Sequence, residues 1–467
     1  MAAPDAPHVP ADPDVDGDTA GVRPWVPWAG LGVALLLVAA SLWLPDLLGI
    51  DTATRRDDQE QVPPLHGFWQ PGVAPASVAV VLLAVLGVVF GERVAQRLPW
   101  RWLLVVSTLV SLAWLLALAL VDGESGLTRV LGNPYEYLET ARATDDVGLM
   151  LREFVDRIPY EAEDNWVTHV AGHPPGALLF FVVLARIGLG GDLAAALVVT
   201  VLAATIAAAV LVTLRALGAE QVARRAAPFL VLTPAAVFLA VSADAMFAAV
   251  AAWGLATLAL GAVAGRDGRR GAMVGWSVLA GLLLGYCVLL SYGLPLLGLA
   301  ALAVLMAARS WWPLPVAAGA ALALVLAFAV AGFAWWEAFP VLQERYYDGV
   351  ASERPQSYWV YGNLGALLIS AGPLIGAGLA VSLAGFRRWL HDDATRGPVL
   401  LVVAGAAMVL AADLSGMSRS ETERIWLPFM PWLTIGVALL PGAWRRWGLG
   451  LQVLTAVVVQ HLMYTSW

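Results

Sequence analysis

The stretch from Thr168 to Gly188, THVAGHPPGALLFFVVLARIG, decides how the chain is threaded through a membrane. Its apolar part begins at two prolines, Pro174 and Pro175, and is interrupted by Arg186. It holds only about 14 apolar residues, whereas a helix needs about 20 to cross the hydrocarbon core. Helices of this shorter length more often lie in the interface or re-enter the same face. The sequence therefore predicts that this helix stays at one face of the bilayer.

Composition places the whole chain among polytopic membrane proteins. Hydrophobic residues make up 60% of the 467 residues and charged residues 13%, with a mean hydropathy of +0.75, which lies outside the soluble globular range. The net charge is -8, and no basic patch indicates a nucleic-acid partner. The single cysteine, Cys287, excludes an intrachain disulfide. All basic residues are arginine, which suits phosphate binding but also follows from a GC-rich genome.

Apolar segments as long as a membrane span recur along the chain. We predict about thirteen spans, at about residues 27–45, 75–91, 102–121, 193–214, 226–241, 245–264, 272–289, 293–308, 313–334, 362–386, 398–413, 425–441 and 448–464. Residues 1–24 are rich in Pro, Asp and Ala without periodicity, which is typical of a disordered tail. The predicted division is a cytoplasmic tail at 1–24, two additional N-terminal transmembrane helices within 25–101, and the main transmembrane domain at 102–467.

Basic connectors give the expected orientation in the plasma membrane. The connector with Arg93, Arg97 and Arg101 is cytoplasmic by the positive-inside rule, which puts the loop at 122–192 outside. If the Pro-Pro helix crossed the bilayer, every later arginine cluster would fall on the outer face. If it stays in the interface, all of these clusters are cytoplasmic, so we expect the N-terminus inside and the C-terminus outside.

The loop at 122–192 is long and acidic, and we expect it to fold. From Asp122 to His173 it holds eleven carboxylates and four arginines. A loop longer than about 12 to 15 residues usually carries function or is disordered. Here apolar residues recur at helical spacing: Tyr135, Leu138, Val147, Met150, Leu151, Phe154, Val155 and Ile158. The pattern predicts juxtamembrane helices lying on the outer surface.

Two further outer loops combine arginines with aromatic and acidic residues. The loop at 335–361 has Arg345 and Arg354 among tyrosines, and the loop SGMSRSETERIWLPF has Arg419 and Arg424 around Glu421 and Glu423. The guanidinium fork suits a lipid phosphate, and aromatic faces suit the apolar side of a sugar ring. The alternative is an interfacial aromatic belt with arginines paired to nearby acids.

Four motifs in order resemble the membrane-embedded glycosyltransferases of the C fold class (GT-C), particularly actinobacterial members. They are Glu136-Tyr137 in NPYEYLETA, His173-Pro174-Pro175 in HVAGHPPG, Asp244 in PAAVFLAVSADAMF, and SETERIWLPF at Glu421 to Phe429. The resemblance covers most of Asp122 to Phe429 and leaves the first two spans as an addition.

The resemblance implies both a fold and an activity. The fold is an all-α polytopic membrane protein of about thirteen transmembrane helices, with juxtamembrane helices in a large outer loop. The activity is an inverting, metal-independent hexosyl- or pentosyltransferase without a cofactor, working within the membrane lipids. It moves a sugar from a polyprenyl-phosphate donor to a glycan or lipid acceptor of the cell envelope, on the outer face.

The expected catalytic base is Glu136, where the family usually has Asp. Its longer side chain reaches the same point from a retracted backbone, and Asp145, Asp146 and Asp122 are the alternatives. Glu136 also fits a plain helix N-terminal charge. The expected substrate-binding residues are Tyr137, His169, His173, Asp244, Arg345, Arg354, Arg419, Glu423 and Arg424.

Two of these expectations have a competing explanation. His169 and His173 are four residues apart, which suits a metal on a helix. Gly172 and the prolines argue against a helix there, so substrate hydrogen bonding or structural capping is favoured. Asp244 follows a predicted span end, and its place at a turn also fits simple avoidance of lipid.

A transporter or flippase of lipid-linked saccharides is the main alternative function, and a non-catalytic membrane scaffold is a third. Transporters place charges within spans and show inverted repeats. This chain has few charges within predicted spans and no visible repeat, which favours the enzyme. The discriminating observation is whether Glu136 opens into a cavity shared with Asp244 and the outer arginines.

Overall fold

The structure is a computed structural model that describes residues 22–54 and 61–465. Most of the tail predicted at 1–24 lies outside this range. Within it the chain is helical, and its strands are β1, Gly67–Trp69, and β2, Met463–Thr465, which pair antiparallel. This confirms the all-α, multi-pass class predicted from the sequence.

Helices of the first half run from the N-terminal spans through the acidic loop. They are α1 Val26–Leu48, α2 Ala76–Arg97, α3 Trp100–Ala119, α4 Ser125–Thr128, α5 Tyr137–Ala143, α6 Val147–Glu153, α7 Thr168–Ala171, α8 Pro175–Arg186, α9 Asp192–Ala204, α10 Ile206–Ala216, α11 Glu220–Val231 and α12 Ala236–Leu239. A single 3-10 turn, Leu120–Asp122, extends α3.

Helices of the second half include the longest of the bundle. They are α13 Ala243–Arg266, α14 Arg270–Leu290, α15 Leu297–Ala308, α16 Pro313–Ala331, α17 Trp335–Asp348, α18 Gln356–Ser370, α19 Leu374–Trp389, α20 Asp393–Leu414, α21 Thr422–Ile425, α22 Met430–Thr434 and α23 Gly442–Leu462. Further 3-10 turns are Leu294–Leu296, Val350–Ser352 and Ile435–Leu439.

Eight helices in the described part of the chain are long and apolar enough to cross a membrane. A bent pair, α18 and α19, meets at 104° and makes a ninth if it counts as one span. The segment predicted at 226–241 is divided between α11 and α12, because Pro234 disfavours helix at the residue before it. The segments predicted at 293–308 and 425–441 are shorter apolar helices. Proline breaks therefore divide or shorten several of the thirteen predicted spans.

Helix α8 is the element on which the threading depends. Its 12 residues extend about 18 Å at 1.5 Å per residue, well short of a hydrocarbon core about 30 Å thick. Pro175 occupies the first turn, where its missing N–H is tolerated. Phe181 and Leu178 are buried, whereas Val183 and Ile187 are exposed. The length agrees with a helix that stays at one face.

The acidic loop is folded, as its periodicity predicts. Helices α5 and α6 bury Leu138, Met150 and Leu151, and the following turn buries Phe154 and Ile158. Helix α5 packs against α8. The loop thus forms a layer that covers one end of the helix bundle.

The arginine-rich connectors meet at the opposite end. Arg224 Nη1 donates to the carbonyls of Ala95 at 2.8 Å and Leu98 at 2.9 Å. Arg445 Nε donates to Glu92 Oε1 at 3.1 Å. Basic connectors from three distant parts of the sequence therefore share one end of the bundle, as the sidedness argument requires.

Small residues on α14 form the contact that holds α16. Only Pro313 and Ala317 of α16 are buried, so most of that helix faces outward. A Cβ added at Gly281 would overlap the carbonyl oxygen of Ala317, and one at Gly285 would lie 2.7 Å from Ala321 Cα. Glycine allows this close approach, which is typical of helix packing in membranes.

We expect Gly281→Val to loosen α16 and to lower the free energy of unfolding by about 1–3 kcal/mol, the usual range for overpacking. Thermal denaturation of the detergent-solubilised protein measures the change. Gly275→Val is the matched control, because Gly275 lies on the same helix with open space around its added Cβ. Equal losses in both variants would show that helix propensity, and not the contact with α16, is responsible.

Candidate functional site

Arg424, on the short helix α21, is the centre of a buried charged cluster. Its Nη1 donates to Glu136 Oε1 at 3.0 Å, and its Nε lies 3.1 Å from Asp244 Oδ2. Its Nη2 lies 3.0 Å from His169 Nδ1. The side chains of Arg424, Glu136 and Asp244 are 3%, 3% and 6% exposed. One guanidinium thus joins residues from the acidic loop, a long apolar helix and the late loop.

Local structure places each partner at the same end of the bundle. Glu136 directly precedes α5 in extended conformation. Asp244 lies in the first turn of α13, which Ser242 caps by accepting from the backbone N–H of Ala245 at 3.3 Å. The positive end of the helix dipole therefore favours the Asp244 carboxylate. The backbone N–H of His169 donates to the carbonyl of Tyr135, which ties α7 to the start of α5.

Glu136 titrates near neutral pH. Burial raises the pKa of Glu136 to about 7, although Arg424 lowers it, and the charge of Asp244 raises it further. The two carboxylates share one guanidinium, so neither is fully neutralised. Glu136 Oε2 is buried and has no hydrogen-bond partner among the described residues, an arrangement that suits a group exchanging a proton.

His169 and His173 have different surroundings. Burial lowers the pKa of both, so both are neutral at pH 7. A neutral His169 accepts from Arg424 at Nδ1 and faces Glu136 Oε1 with Nε2 at 3.5 Å. The His173 ring centroid lies 5.9 Å from that of Tyr137, which stacks on Phe181 at 5.1 Å. Only His169 belongs to the charged cluster.

Helix α7 ends at Ala171, with Gly172 as its C-cap residue, so it contains His169 but not His173. The two histidines therefore do not share a helix, although the sequence analysis did not expect a helix at His169. His173 Nδ1 lies 2.9 Å from the carbonyl of His169. Across the described ranges, no group of three or more His, Cys, Asp or Glu is placed to hold a metal ion. Metal independence stays a prediction.

Glu421 also contacts the cluster, and the sequence analysis did not select it. Its Oε2 lies 3.7 Å from Arg424 Nη2 and its Oε1 3.7 Å from Arg354 Nη2. Burial raises its pKa, but the charges of His66, Arg354 and Arg424 lower it more, to about 2. Glu421 is therefore ionised at neutral pH. The only sequence signal was its position between two arginines.

A cavity of about 700 Å³ lies beside the cluster. It is lined by Thr54, His66, Tyr135, Tyr160, Glu161, Thr168, Asp348, Gly349, Val350, Arg354 and Glu421. Its wall includes Tyr135 and Thr168, the chain neighbours of Glu136 and His169, but Glu136 itself is buried. The expectation that Glu136 opens into a cavity shared with Asp244 is therefore wrong for this structure, because neither carboxylate lines the cavity. Glu421, which contacts Arg424, is the acid of the cluster that reaches the cavity wall.

The four candidate arginines fall into two groups. Arg345 donates to the carbonyls of Ile158 and Trp166 and lies over the ring of Tyr160, with Arg345 Cζ 4.0 Å from the centroid. Arg419 Nη1 donates to the carbonyls of Ala351 at 3.1 Å and Arg354 at 3.0 Å. These two guanidinium groups hold loop backbone in place.

Arg354 and Arg424 have positions of a different kind. Arg354 lines the cavity while donating to the carbonyls of Ala53 at 3.2 Å, Thr54 at 3.0 Å and Arg419 at 2.6 Å. Arg424 lies in the cluster itself. Arg354 therefore faces a ligand in the cavity directly, and Arg424 lies behind the lining residue Glu421.

Glu423 ties the N-terminal part of the chain to the site. It is fully buried, and its Oε1 accepts from the backbone N–H of His66 at 2.9 Å. Trp359 Nε1 donates to the carbonyl of Thr52 at 3.0 Å. The loop between α1 and α2 thus supplies His66 and Thr54 to the cavity wall. Sequence reasoning missed this contribution because it treated the first two spans as an addition.

The acidic alternatives to Glu136 lie elsewhere. Asp122 Oδ2 accepts from Arg129 Nη2 at 2.8 Å. Asp146 caps α6 by accepting from the backbone N–H of Leu149 at 2.9 Å, and Asp145 is exposed. Of the four acidic candidates, Glu136 is the one in contact with Arg424.

Fold and site together define a multi-pass, all-α membrane protein with a charged cluster buried beside a cavity at one end of its helices. No protein-family model and no curated protein matches the sequence.

Two solved structures share part of the fold. ArnT from Cupriavidus metallidurans in the apo state is 18% identical, with a TM-score of 0.42 over 71% of this chain and 59% of ArnT. The Archaeoglobus fulgidus oligosaccharyltransferase tethered with an acceptor peptide is 12% identical, with a TM-score of 0.43 over 72% of this chain and 49% of that enzyme. This chain thus spans about half to three fifths of their lengths. At TM-scores below 0.5 the likeness assigns no function, which is proposed below from the site.

Proposed function

We propose that this protein is a membrane glycosyltransferase that moves a sugar from a polyprenyl-phosphate donor to a glycan or lipid acceptor of the cell envelope. The observation that carries the proposal is the contact of Arg424 with Glu136 beside a cavity of about 700 Å³. Arg424 is a cation that suits a leaving phosphate, and Glu136 is a carboxylate whose pKa is about 7. A hydrogen bond joins the two side chains. Inverting sugar transfer uses a base for the acceptor hydroxyl and a positive charge for the leaving phosphate.

In this reaction Glu136 Oε2 takes the proton of the acceptor hydroxyl, and the hydroxyl oxygen forms a bond to the anomeric carbon of the donor sugar. The bond from that carbon to the lipid phosphate breaks, and its electron pair leaves with the phosphate. A base acts within about 3 Å of the hydroxyl it deprotonates. Arg424 and Arg354 are the cations that stabilise the charge on the phosphate, most strongly where water is excluded.

The cavity has the size and lining expected for a saccharide. Its volume of about 700 Å³ lies within the roughly 300–1,000 Å³ of ligand sites. Tyr135 and Tyr160 offer aromatic faces, while Thr168, Glu161 and Asp348 offer hydrogen-bonding groups. Val183 of helix α8 and Ile187, directly after the helix, are exposed, which suits contact with a lipid-linked donor.

Charge placement favours the enzyme over a transporter or flippase. In the eight long apolar helices that the structure describes, the charged residues lie near helix ends, as Asp244 and Asp413 do. Transporters place such residues near the bilayer midplane. The charged cluster is instead at one end of the bundle, next to a cavity.

Incubation of the purified protein with a panel of polyprenyl-phosphate sugars and envelope glycans tests the proposal. We expect mass spectrometry to detect sugar transfer to at least one acceptor. Absence of transfer from every donor, together with movement of a labelled lipid-linked saccharide across vesicles containing the protein, would instead support a flippase.

Cysteine labelling in intact cells tests the proposed outer face. We expect Glu163→Cys in the acidic loop to react with an impermeant maleimide, and Arg266→Cys at the opposite end to react only after permeabilisation. Both positions are exposed, and the native Cys287 is buried, so background labelling is low. Labelling of both sites from outside would overturn the threading.

A further inference from the structure

Glu421 is the carboxylate that connects the charged cluster to the cavity. Its side chain is 22% exposed, against 3% for Glu136 and 6% for Asp244. Glu421 lines the cavity and the other two do not. A ligand in the cavity therefore meets Glu421 before any other acid of the cluster.

The backbone that presents Glu421 is strained. Ser420 and Glu421 have φ angles of 76° and 61°, in the left-handed region that residues with a side chain rarely adopt. Such conformations persist where surrounding contacts impose them, and they concentrate at functional sites. Here the Ser420 N–H donates to Asn363 Oδ1 at 3.2 Å, and the Arg419 N–H donates to Tyr346 Oη at 2.9 Å.

Asn363 is held by contacts with residues before and after this turn. Its Nδ2 donates to the carbonyl of Ser418 at 2.5 Å and to Asp413 Oδ1 at 2.8 Å. Its carbonyl accepts from Thr422 Oγ1 at 3.3 Å. Buried polar contacts thus hold the Ser420–Glu421 turn in one conformation, which directs the Glu421 side chain to the cavity wall.

Two arginines lie near the Glu421 oxygens but leave their hydrogen-bonding capacity open. Both contacts, to Arg354 and Arg424, are 3.7 Å long, beyond the usual length of a hydrogen bond. An ionised carboxylate accepts several hydrogen bonds and donates none. The oxygens therefore remain available for hydroxyl donors.

The lining around Glu421 indicates the class of ligand. Glu161, Asp348 and Glu421 place three carboxylates in the cavity wall, and Arg354 adds a guanidinium. Such a mixed, strongly polar lining suits a ligand with several hydroxyl groups, which donates hydrogen bonds to carboxylates and accepts them from the guanidinium. The rings of Tyr135 and Tyr160, which also line the cavity, suit the apolar side of such a ligand.

We propose that Glu421 binds hydroxyl groups of the saccharide in this cavity and determines which sugar is accepted. The role in transfer rests on the proposed function, whereas saccharide binding is measured independently of it. Glu421 is a specificity-determining residue here, and Glu136 keeps the role of base.

Saccharide binding to the full-length protein in detergent, followed by saturation-transfer NMR, tests the role directly. A panel of short envelope-type saccharides and their monodeoxy analogues is the probe. We expect Glu421→Gln to weaken binding of the best saccharide about tenfold or more. Removal of the hydroxyl that Glu421 binds should weaken binding to the wild type by a similar factor. The same removal should cause no further loss of affinity in Glu421→Gln, because the carboxylate and the hydroxyl act as a pair.

Two further variants separate binding from folding. Glu421→Gly removes the carboxylate while relieving the left-handed strain, so we expect its thermal stability to equal or exceed that of the wild type while binding is lost. Glu163→Gln removes an exposed carboxylate of the acidic loop outside the cavity wall and should bind as the wild type does. The assignment would be overturned if Glu421→Gly bound the saccharide with wild-type affinity. It would also be overturned if each deoxy analogue lost the same affinity in Glu421→Gln as in the wild type.

Transfer kinetics distinguish a failure of this inference from a failure of the proposed function. If the enzyme transfers sugar, we expect Glu421→Gln to raise KM for the saccharide and to change the ranking of sugars. Transfer with an unchanged ranking contradicts the role of Glu421. Saccharide binding that is equally strong and equally selective with and without the Glu421 carboxylate contradicts it too. Binding that needs Glu421 in a protein that transfers no sugar contradicts only the proposed reaction.

Discussion

Replacing Arg424 with alanine is expected to abolish sugar transfer and to be the most destabilising single change in the site. Arg424 is the shared counter-ion of Glu136 and Asp244, and all three are buried. Removing one partner of a buried ion pair typically costs about 3–5 kcal/mol, because a charge is left uncompensated. Loss of a cation aimed at developing negative charge lowers kcat by about 10²–10³ or more. Chemical denaturation and the transfer assay measure the two effects.

An exposed ion pair supplies the control for Arg424. Arg142 pairs with Asp192, and their side chains are 48% and 42% exposed. Arg142→Ala should change the free energy of unfolding by no more than about 1 kcal/mol, as exposed pairs do. A loss as large as that of Arg424→Ala would show that burial is not the source of the effect.

A combined variant tests the reason for the instability. Arg424→Met with Glu136→Gln and Asp244→Asn removes the guanidinium together with its two buried carboxylates, while Glu421 keeps its contact with Arg354. Stability should then recover while transfer stays absent. If the combined variant remains as unstable as Arg424→Ala, the unpaired carboxylates are not the cause.

The sequence predicted the parts of this site that depend on topology. Glu136, Asp244 and Arg424 each lie next to a helix end, and the length of the apolar run after Pro175 placed those ends on one face. With the helices placed across the membrane in this way, the pattern of apolar and basic segments puts Glu136, Asp244 and Arg424 at the same end of the bundle. The structure agrees, since Arg424 contacts both carboxylates.

Parts that depend on loop backbone were not predictable in the same way. His66 donates to Glu423 across 357 positions of sequence, and no periodicity indicates such a pairing. Arg345 was expected to bind phosphate, but its guanidinium meets the carbonyls of Ile158 and Trp166. Which carbonyls a buried arginine reaches is decided by turn geometry. The left-handed turn at Glu421 is likewise invisible in residue types.

The number of spans shows a related limit. Hydropathy located the apolar segments well, and within residues 22–54 and 61–465 eight helices are long and apolar enough to cross a membrane, or nine with the bent pair. It did not reveal that Pro234 and Pro373 interrupt helices within apolar sequence. Interruptions of this kind are tolerated at membrane depth where protein covers the backbone, as the buried residues of α12 show.

Replacing Glu136 with glutamine is expected to lower transfer by about 10²–10⁴, the usual contribution of a general base, while the protein stays folded. Glutamine keeps the shape of the side chain but cannot accept the proton. In the wild type the rate should rise with pH through about 7, where Glu136 loses its proton. Glu136→Gln should lose that rise, and retention of full transfer by this variant would exclude Glu136 as the base.

The pH dependence of stability examines the same proton without a substrate. Folding raises the pKa of Glu136 from 4.5 to about 7, so this group contributes stability that is fully present below pH 4.5 and lost as pH rises through 7. The lowered pKa values of His169 and His173 act in the opposite sense, since they remove stability as pH falls below 6.5. Both proteins contain the two histidines, so their contribution largely cancels when the free energy of unfolding of the wild type is subtracted from that of Glu136→Gln. As pH rises from 4.5 to 7, this difference in unfolding free energy should shift in favour of the variant.

The expected shift is on the order of 3 kcal/mol, from 1.36 kcal/mol for each unit of pKa. Denaturation in detergent at a series of pH values measures it, with Glu163→Gln as the exposed control, whose difference from wild type should not vary in this window. A flat difference for Glu136→Gln as well would mean that Arg424 holds Glu136 ionised throughout. A carboxylate so held is a weak base, and the proton would then have to pass to another group of the cluster.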